Sequence, residues 1–224
     1  MIDDALVLPD AAPAAAPGWS TATLQTRLLE LAAAGALAAV LMVLLWLQPR
    51  ADFWVAISQP FFWLKGLYTV ALAVMALGGA TASVRRGASV RPPAAMLAAV
   101  VALMAVAAAF EAPGLGPAMI AHVFDPGGAF ACIAYVAILA APMLLVAGIG
   151  LRGVELERPA VTGLFVGLFC GAVAASVYGL HCLDSTFAFV VLWYTAAVLV
   201  CGAMGAGGLK LIAGRPCPDP VPGD

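Results

Sequence analysis

An all-α, polytopic membrane protein with six transmembrane helices and both termini cytoplasmic is the fold class that this sequence predicts. Three observations predict it. Of its 224 residues 64% are hydrophobic and only 10% charged, far too little charge to coat a soluble domain of this size. The apolar residues gather into six runs, each near the roughly 20 residues that a helix needs to cross a hydrocarbon core about 30 Å thick. The basic residues are unevenly divided among the loops. With the N-terminus inside, Arg27, Arg85, Arg86, Arg91, Arg152, Arg158, Lys210 and Arg215 fall on the inner side and only Arg50 and Lys65 on the outer, the bias expected of cytoplasmic loops.

Residues 1–28 read as a short cytoplasmic tail, rich in Ala and Pro and acidic at Asp3, Asp4 and Asp10. Its basic residue, Arg27, stands directly before the first apolar run, whereas a cleaved signal peptide carries its charge first. The transmembrane domain is predicted over 29–212. Its first span, 31–47, ends at Gln48-Pro49-Arg50. Pro60, a favoured first helical residue, opens the second span at 61–82, with Trp54 and Trp63 as interface anchors and Lys65 near the outer end reaching to water. The third span is 94–110. Residues 111–128, broken by Pro113, Gly114, Gly116, Pro117, Pro126 and Gly127, read as the longest loop, without helix. The fourth span, 129–151, contains Pro142 and should kink there. The charged link 152–159 leads to a fifth span at 160–180, the sixth follows at 186–209, and 213–224 is a second cytoplasmic tail.

One short connection holds a thiol, an imidazole and a carboxylate together: Tyr178-Gly179-Leu180-His181-Cys182-Leu183-Asp184-Ser185. The topology puts it on the outer face with His122, Asp125 and Cys132. Cys170 and Cys201 fall mid-span, where Cys packs as a small apolar residue, and Cys217 lies in the inner tail. Cys132 and Cys182 stand within about a turn of the outer surface, where solutes can reach them. A disulfide needs Cα atoms within roughly 7 Å, and a soft metal ion needs two or more thiolate or imidazole ligands. The spacing permits both, with His181 as a neighbouring base or ligand and His122 as a further ligand. Gly163, Gly167 and Gly171 lie one turn apart on the fifth span and mark a face that packs closely on another helix. No His-Glu-x-x-His helix, phosphate-cradling glycine loop or charge near a bilayer midplane is present, which weighs against a transporter, a pump and an NTPase.

Pro60-Phe61-Phe62-Trp63-Leu64-Lys65, Cys132 at the head of the fourth span, Leu180-His181-Cys182 and Val191-Leu192-Trp193-Tyr194-Thr195 together resemble the NrsF-like family of six-helix bacterial inner-membrane anti-sigma factors. The resemblance runs nearly the whole length of the chain. It implies a negative regulator, not an enzyme, that holds an extracytoplasmic-function (ECF) sigma factor on the cytoplasmic side and releases it under oxidant or heavy-metal stress. It implies no direct DNA binding and no required cofactor, with a soft heavy-metal ion as a possible inducer. The family's outer cysteine pair carries over to Cys132 and Cys182, the residues that would sense oxidant or metal, with His181 beside them. Its acidic, apolar opening segment carries over to Asp3, Asp4, Leu6 and Leu8 as sigma-factor contacts, although Pro9, Pro13 and Pro17 end that segment early. Two other functions compete: a membrane thiol oxidoreductase serving a quinone, and a small carrier or assembly protein. One outer cysteine pair is short of the serial pairs that the first needs, and the absence of intramembrane charge counts against the second.

Overall fold

The computed structural model of the chain describes residues 21–85, 87–151 and 156–213. The described residues form an all-helical bundle with six helices long and apolar enough to cross a membrane. Asp3, Asp4, Leu6, Leu8 and Cys217 lie outside the described residues. Helix α1 (Thr21–Met42) widens into a π-helical turn at Val43–Leu47. A short α2 (Phe53–Ala56) precedes α3 (Pro60–Val84) and α4 (Arg91–Glu111). Then come α5 (Pro117–Val123), α6 (Pro126–Gly150) and α7 (Pro159–Tyr178). The last span starts as α8 (Phe187–Phe189), passes through a π-helical turn at Val190–Tyr194 and continues as α9 (Thr195–Ala213).

Several observed ends differ from expectation. Helix α1 begins at Thr21, ten residues before the apolar run, because Thr23, Gln25, Arg27 and Glu30 are polar yet compatible with helix, and Arg27 pairs with Glu30 across one turn at 3.3 Å. The stretch 111–128 is not all loop: it holds α5, which Pro117 opens from the first helical position. Helix α6 starts at Pro126, where Asp125 caps the backbone N–H of Gly128 at 2.7 Å, and runs through Pro142 to Gly150.

Helix α7 is the axis. In its apolar window 72% of the residues are buried, against 11% for α4, and it packs against α9, α3, α6 and α1. Gly163, Gly167 and Gly171 all face α9. A methyl on Gly163 would overlap the Gly205 carbonyl, one on Gly167 the Cys201 carbonyl, and one on Gly171 the Cys201 side chain. Glycine here lets two backbones touch, so the stabilisation comes from dispersion along the seam rather than from solvent exclusion. Cys170 and Cys201 are fully buried within the same core.

On its other flank α7 meets α3 through hydroxyls. Ser176 bonds Thr69 at 2.8 Å near one end, and Ser83 meets Thr162 at 3.0 Å near the other. Such interhelical bonds contribute about 0.6 kcal/mol each on average, and at most about 1.7. Thr162→Val is therefore expected to lower bundle stability by about 1 kcal/mol without dissociating it, measurable as a small shift in the thermal unfolding of the detergent-solubilised protein.

Candidate functional site

One end of the bundle, the turn end, carries the connection 179–186; the opposite end carries Arg27, Arg85, Arg91, Arg158 and Lys210. The turn grows directly out of α7. The backbone N–H groups of His181 and Cys182 both donate to the Tyr178 carbonyl, at 2.9 and 3.0 Å, so the helix closes over the two residues. The strand-like exit ends at Thr186, whose hydroxyl accepts the Phe189 N–H and starts the last span. The Glu111 carboxylate reaches across from α4 and accepts the Ala188 N–H at 3.2 Å.

Cations tie this turn to the rest of the protein. Lys65 is not at the water surface as the sequence suggested; it is 2% exposed and donates to the carbonyls of Cys182 and Asp184 at 3.1 and 3.2 Å. Its ammonium lies 5.7 Å from the centre of the Tyr194 ring, within range of a cation–π contact. Arg50 also donates to the Cys182 carbonyl, at 3.3 Å, while its backbone N–H reaches Leu180. Its fork holds Asp52 at 2.6 and 2.8 Å, which keeps the Asp52 carboxyl below its usual range and the guanidinium above its own. A buried cation is costly unless dipoles or charges satisfy it, and the carbonyls of this turn do so for Lys65.

The expected site residues separate. Cys182 is 4% exposed and Cys132 fully buried, so neither stands open to solvent as a surface thiol. Both cysteines belong to one buried core cluster that also holds Tyr178 and Tyr194. Both cysteines carry free thiols. The Cys182 sulfur sits 3.7 Å from an oxygen of Asp184, the acceptor for its proton, and the other oxygen of Asp184 meets His122 at 2.7 Å. Burial pushes the Cys182 thiol above its ordinary value, against the pull of the Lys65 charge and the Tyr194 hydroxyl. That hydroxyl is fully buried and faces the sulfur, yet it closes no hydrogen bond of ordinary geometry.

His181 lies beside the thiol in sequence but turns away from it. Its Nδ1 bonds the Gln48 carbonyl at 2.7 Å, so Nδ1 carries the proton, and its ring meets Tyr135 and Tyr178. Gln48 presents that carbonyl from a left-handed backbone, φ +64°, a strained conformation for a side chain of this kind. His122 stacks on Phe189, and Trp193 donates to the Val123 carbonyl at 2.7 Å, which straps α5 across the mouth of the site. Under that strap a cleft of about 500 Å³ is lined by His122, Tyr135, Tyr178, His181, Cys182 and Asp184, among others. Among the described residues no group of three or more His, Cys, Asp or Glu side chains is placed to hold a metal ion.

Sequence reasoning missed Lys65, Arg50 and Tyr194. A signal for Lys65 was present: it shares the 3–4 spacing of Tyr68, Thr69, Leu72 and Ala76, the face that α3 buries.

Comparison with known proteins covers most of the chain. The sequence model of the family described as negative regulator of sigma F matches residues 14–212, and so begins after Asp3, Asp4, Leu6 and Leu8. The chain is 37% identical over 180 residues to the anti-sigma-F factor NrsF of Caulobacter vibrioides, covering 80% of this chain and 84% of that one. It is 32% identical over 172 residues to the probable anti-sigma-F factor NrsF of Azospira oryzae, covering 76% and 80%. No solved structure matches it.

Proposed function

The chain belongs to the NrsF family of negative regulators of sigma F, and from that premise we propose that it is a membrane anti-sigma factor gated by the Cys132 and Cys182 thiols. The turn end faces outward across the bacterial inner membrane. The opposite end, with its basic residues, grips an ECF-type sigma factor in the cytoplasm, helped by the N-terminal residues Asp3, Asp4, Leu6 and Leu8, which lie outside the described residues. The observation that carries the gating is the placement of two buried free thiols in one core cluster at one end of the bundle, one on α6 and one on the turn clamped by Arg50 and Lys65.

The mechanism follows from how these parts are joined. Bonding the two sulfurs draws the 179–186 turn toward α6. The turn is fastened to α3 through Lys65, and α3 to α7 through Thr69–Ser176 and Ser83–Thr162, so the displacement reaches the far end along stiff helices. Release requires that the sigma factor bind the reduced form more tightly than the bonded form. A tenfold difference corresponds to about 1.4 kcal/mol, a fraction of what a disulfide can bias. Oxidation to a disulfide and capture of a soft heavy-metal ion are both triggers that act through these two sulfurs.

Co-purification tests the binding half. The reduced protein in nanodiscs is expected to retain an ECF sigma factor of its own bacterium, and to show no affinity for promoter DNA. Failure to retain any sigma factor would remove the anti-sigma reading.

A further inference from the structure

The two thiols are not equivalent, and the geometry points to a division of labour: Cys182 is the thiol that takes oxygen from a hydroperoxide, and Cys132 is the thiol that resolves it. This inference rests on the thiol-gated reading and adds to it which sulfur reacts, with what class of oxidant, and which side chains hold the reacting sulfur in place.

Access separates the cysteines first. The cleft of about 500 Å³ at the turn end is lined by Cys182 and not by Cys132, which is fully buried on α6. That volume admits a small peroxide with room for its leaving group. The surroundings of Cys182 then match what the reaction needs. An Asp184 oxygen 3.7 Å from the sulfur accepts the thiol proton, and His122, bonded to the other oxygen of that carboxylate at 2.7 Å and more than half exposed, connects it to solvent. The Lys65 ammonium is fixed on the carbonyls either side of Leu183, which sets the turn and puts a positive charge near the sulfur. The Tyr194 hydroxyl, fully buried beside the sulfur, makes no hydrogen bond of ordinary geometry. A buried hydroxyl left unpaired is unfavourable, and an oxygen added to the Cys182 sulfur would supply the acceptor it lacks.

The chemistry balances in two steps. The Cys182 sulfur, its proton passed to Asp184, attacks one oxygen of the hydroperoxide. An S–O bond forms, the O–O bond breaks, and the leaving alkoxide or hydroxide takes up a proton, giving Cys182 sulfenic acid and an alcohol or water. The sulfur is oxidised by two electrons and the peroxide is reduced by two. The Cys132 sulfur then attacks the Cys182 sulfur, an S–S bond forms, the S–O bond breaks, and water departs with the Cys132 proton. Lys65 acts here as a positioning residue. It holds the turn and touches no reacting atom.

The test is sulfenic acid trapping in the full-length protein, with hydrogen peroxide as oxidant, dimedone as trap and site-resolved mass spectrometry as readout. Cys132→Ser is expected to accumulate the adduct on Cys182, at least tenfold above the adduct on Cys132 in Cys182→Ser. Equal or greater trapping on Cys132 would overturn the assignment. Because a serine variant can perturb packing, the wild type is also treated with limiting N-ethylmaleimide: Cys182 is expected to label before Cys132, and labelling of Cys132 before Cys182 would overturn it as well. Lys65→Met is expected to slow Cys182 trapping about tenfold and Lys65→Arg to restore it to within a few fold; equal rates in all three proteins would remove Lys65 from the account. None of these readouts involves a sigma factor. Trapping on Cys182 with no sigma-factor release would retain this assignment and defeat the gating proposal alone.

Discussion

Cys132→Ser protein is expected to keep its sigma factor through an oxidant exposure that strips it from the wild type, with at least a tenfold difference in the fraction retained. The reason lies in where Cys132 sits. It is fully buried on α6, away from the cleft, and as a serine it removes one sulfur while adding no bulk. The turn keeps its clamps from Arg50 and Lys65, so the resting grip on the sigma factor should not change. What is lost is the ability to lock α6 to the turn. Pull-down before and after peroxide checks this, and oxidant-induced release from Cys132→Ser at the wild-type level would show that the pair does not act as the gate.

Gly167→Leu is expected to prevent assembly of the bundle. A Cβ on Gly167 overlaps the Cys201 carbonyl and crowds the Gly202 Cα, both of them backbone atoms that cannot rotate away. Helices α7 and α9 would have to separate along the seam that also includes Gly163 and Gly205, on the most buried helix of the protein. The cost should reach the upper end of the roughly 1–3 kcal/mol typical of overpacking or exceed it. Gly207→Leu is the control, since a Cβ there meets nothing within 4 Å. Size-exclusion chromatography after mild heating in detergent should show Gly167→Leu aggregated and Gly207→Leu monodisperse. Equal behaviour of the two would mean that the close approach of α7 and α9 is not needed for folding.

The six spans and their order were legible because hydrophobic length is a strong signal in a chain with so little charge. The glycines of α7 were legible for a related reason: small residues four apart have few uses on a spanning helix other than close packing. Helix α5 was hidden because Pro117 and the glycines around it resemble loop punctuation, although a proline at the first helical position starts a helix as readily as it ends one. Lys65 was read as reaching to water because a lysine near a span end usually finds it. Its partners are backbone carbonyls more than a hundred positions away, and nothing local to Lys65 announces them. The burial of Cys132 and Cys182, and the turning of His181 toward Gln48, depend in the same way on how α1, α6 and α7 meet.

The central claim is that bonding of Cys132 to Cys182 releases the sigma factor. The most direct test follows both events in one sample: wild-type complex in nanodiscs is titrated with hydrogen peroxide while the Cys132–Cys182 disulfide is quantified by mass spectrometry and the retained sigma factor by pull-down. The account predicts that the two curves mirror each other and that a thiol reductant reverses both. A fully formed disulfide with the sigma factor still bound, or release before any disulfide has formed, would contradict it.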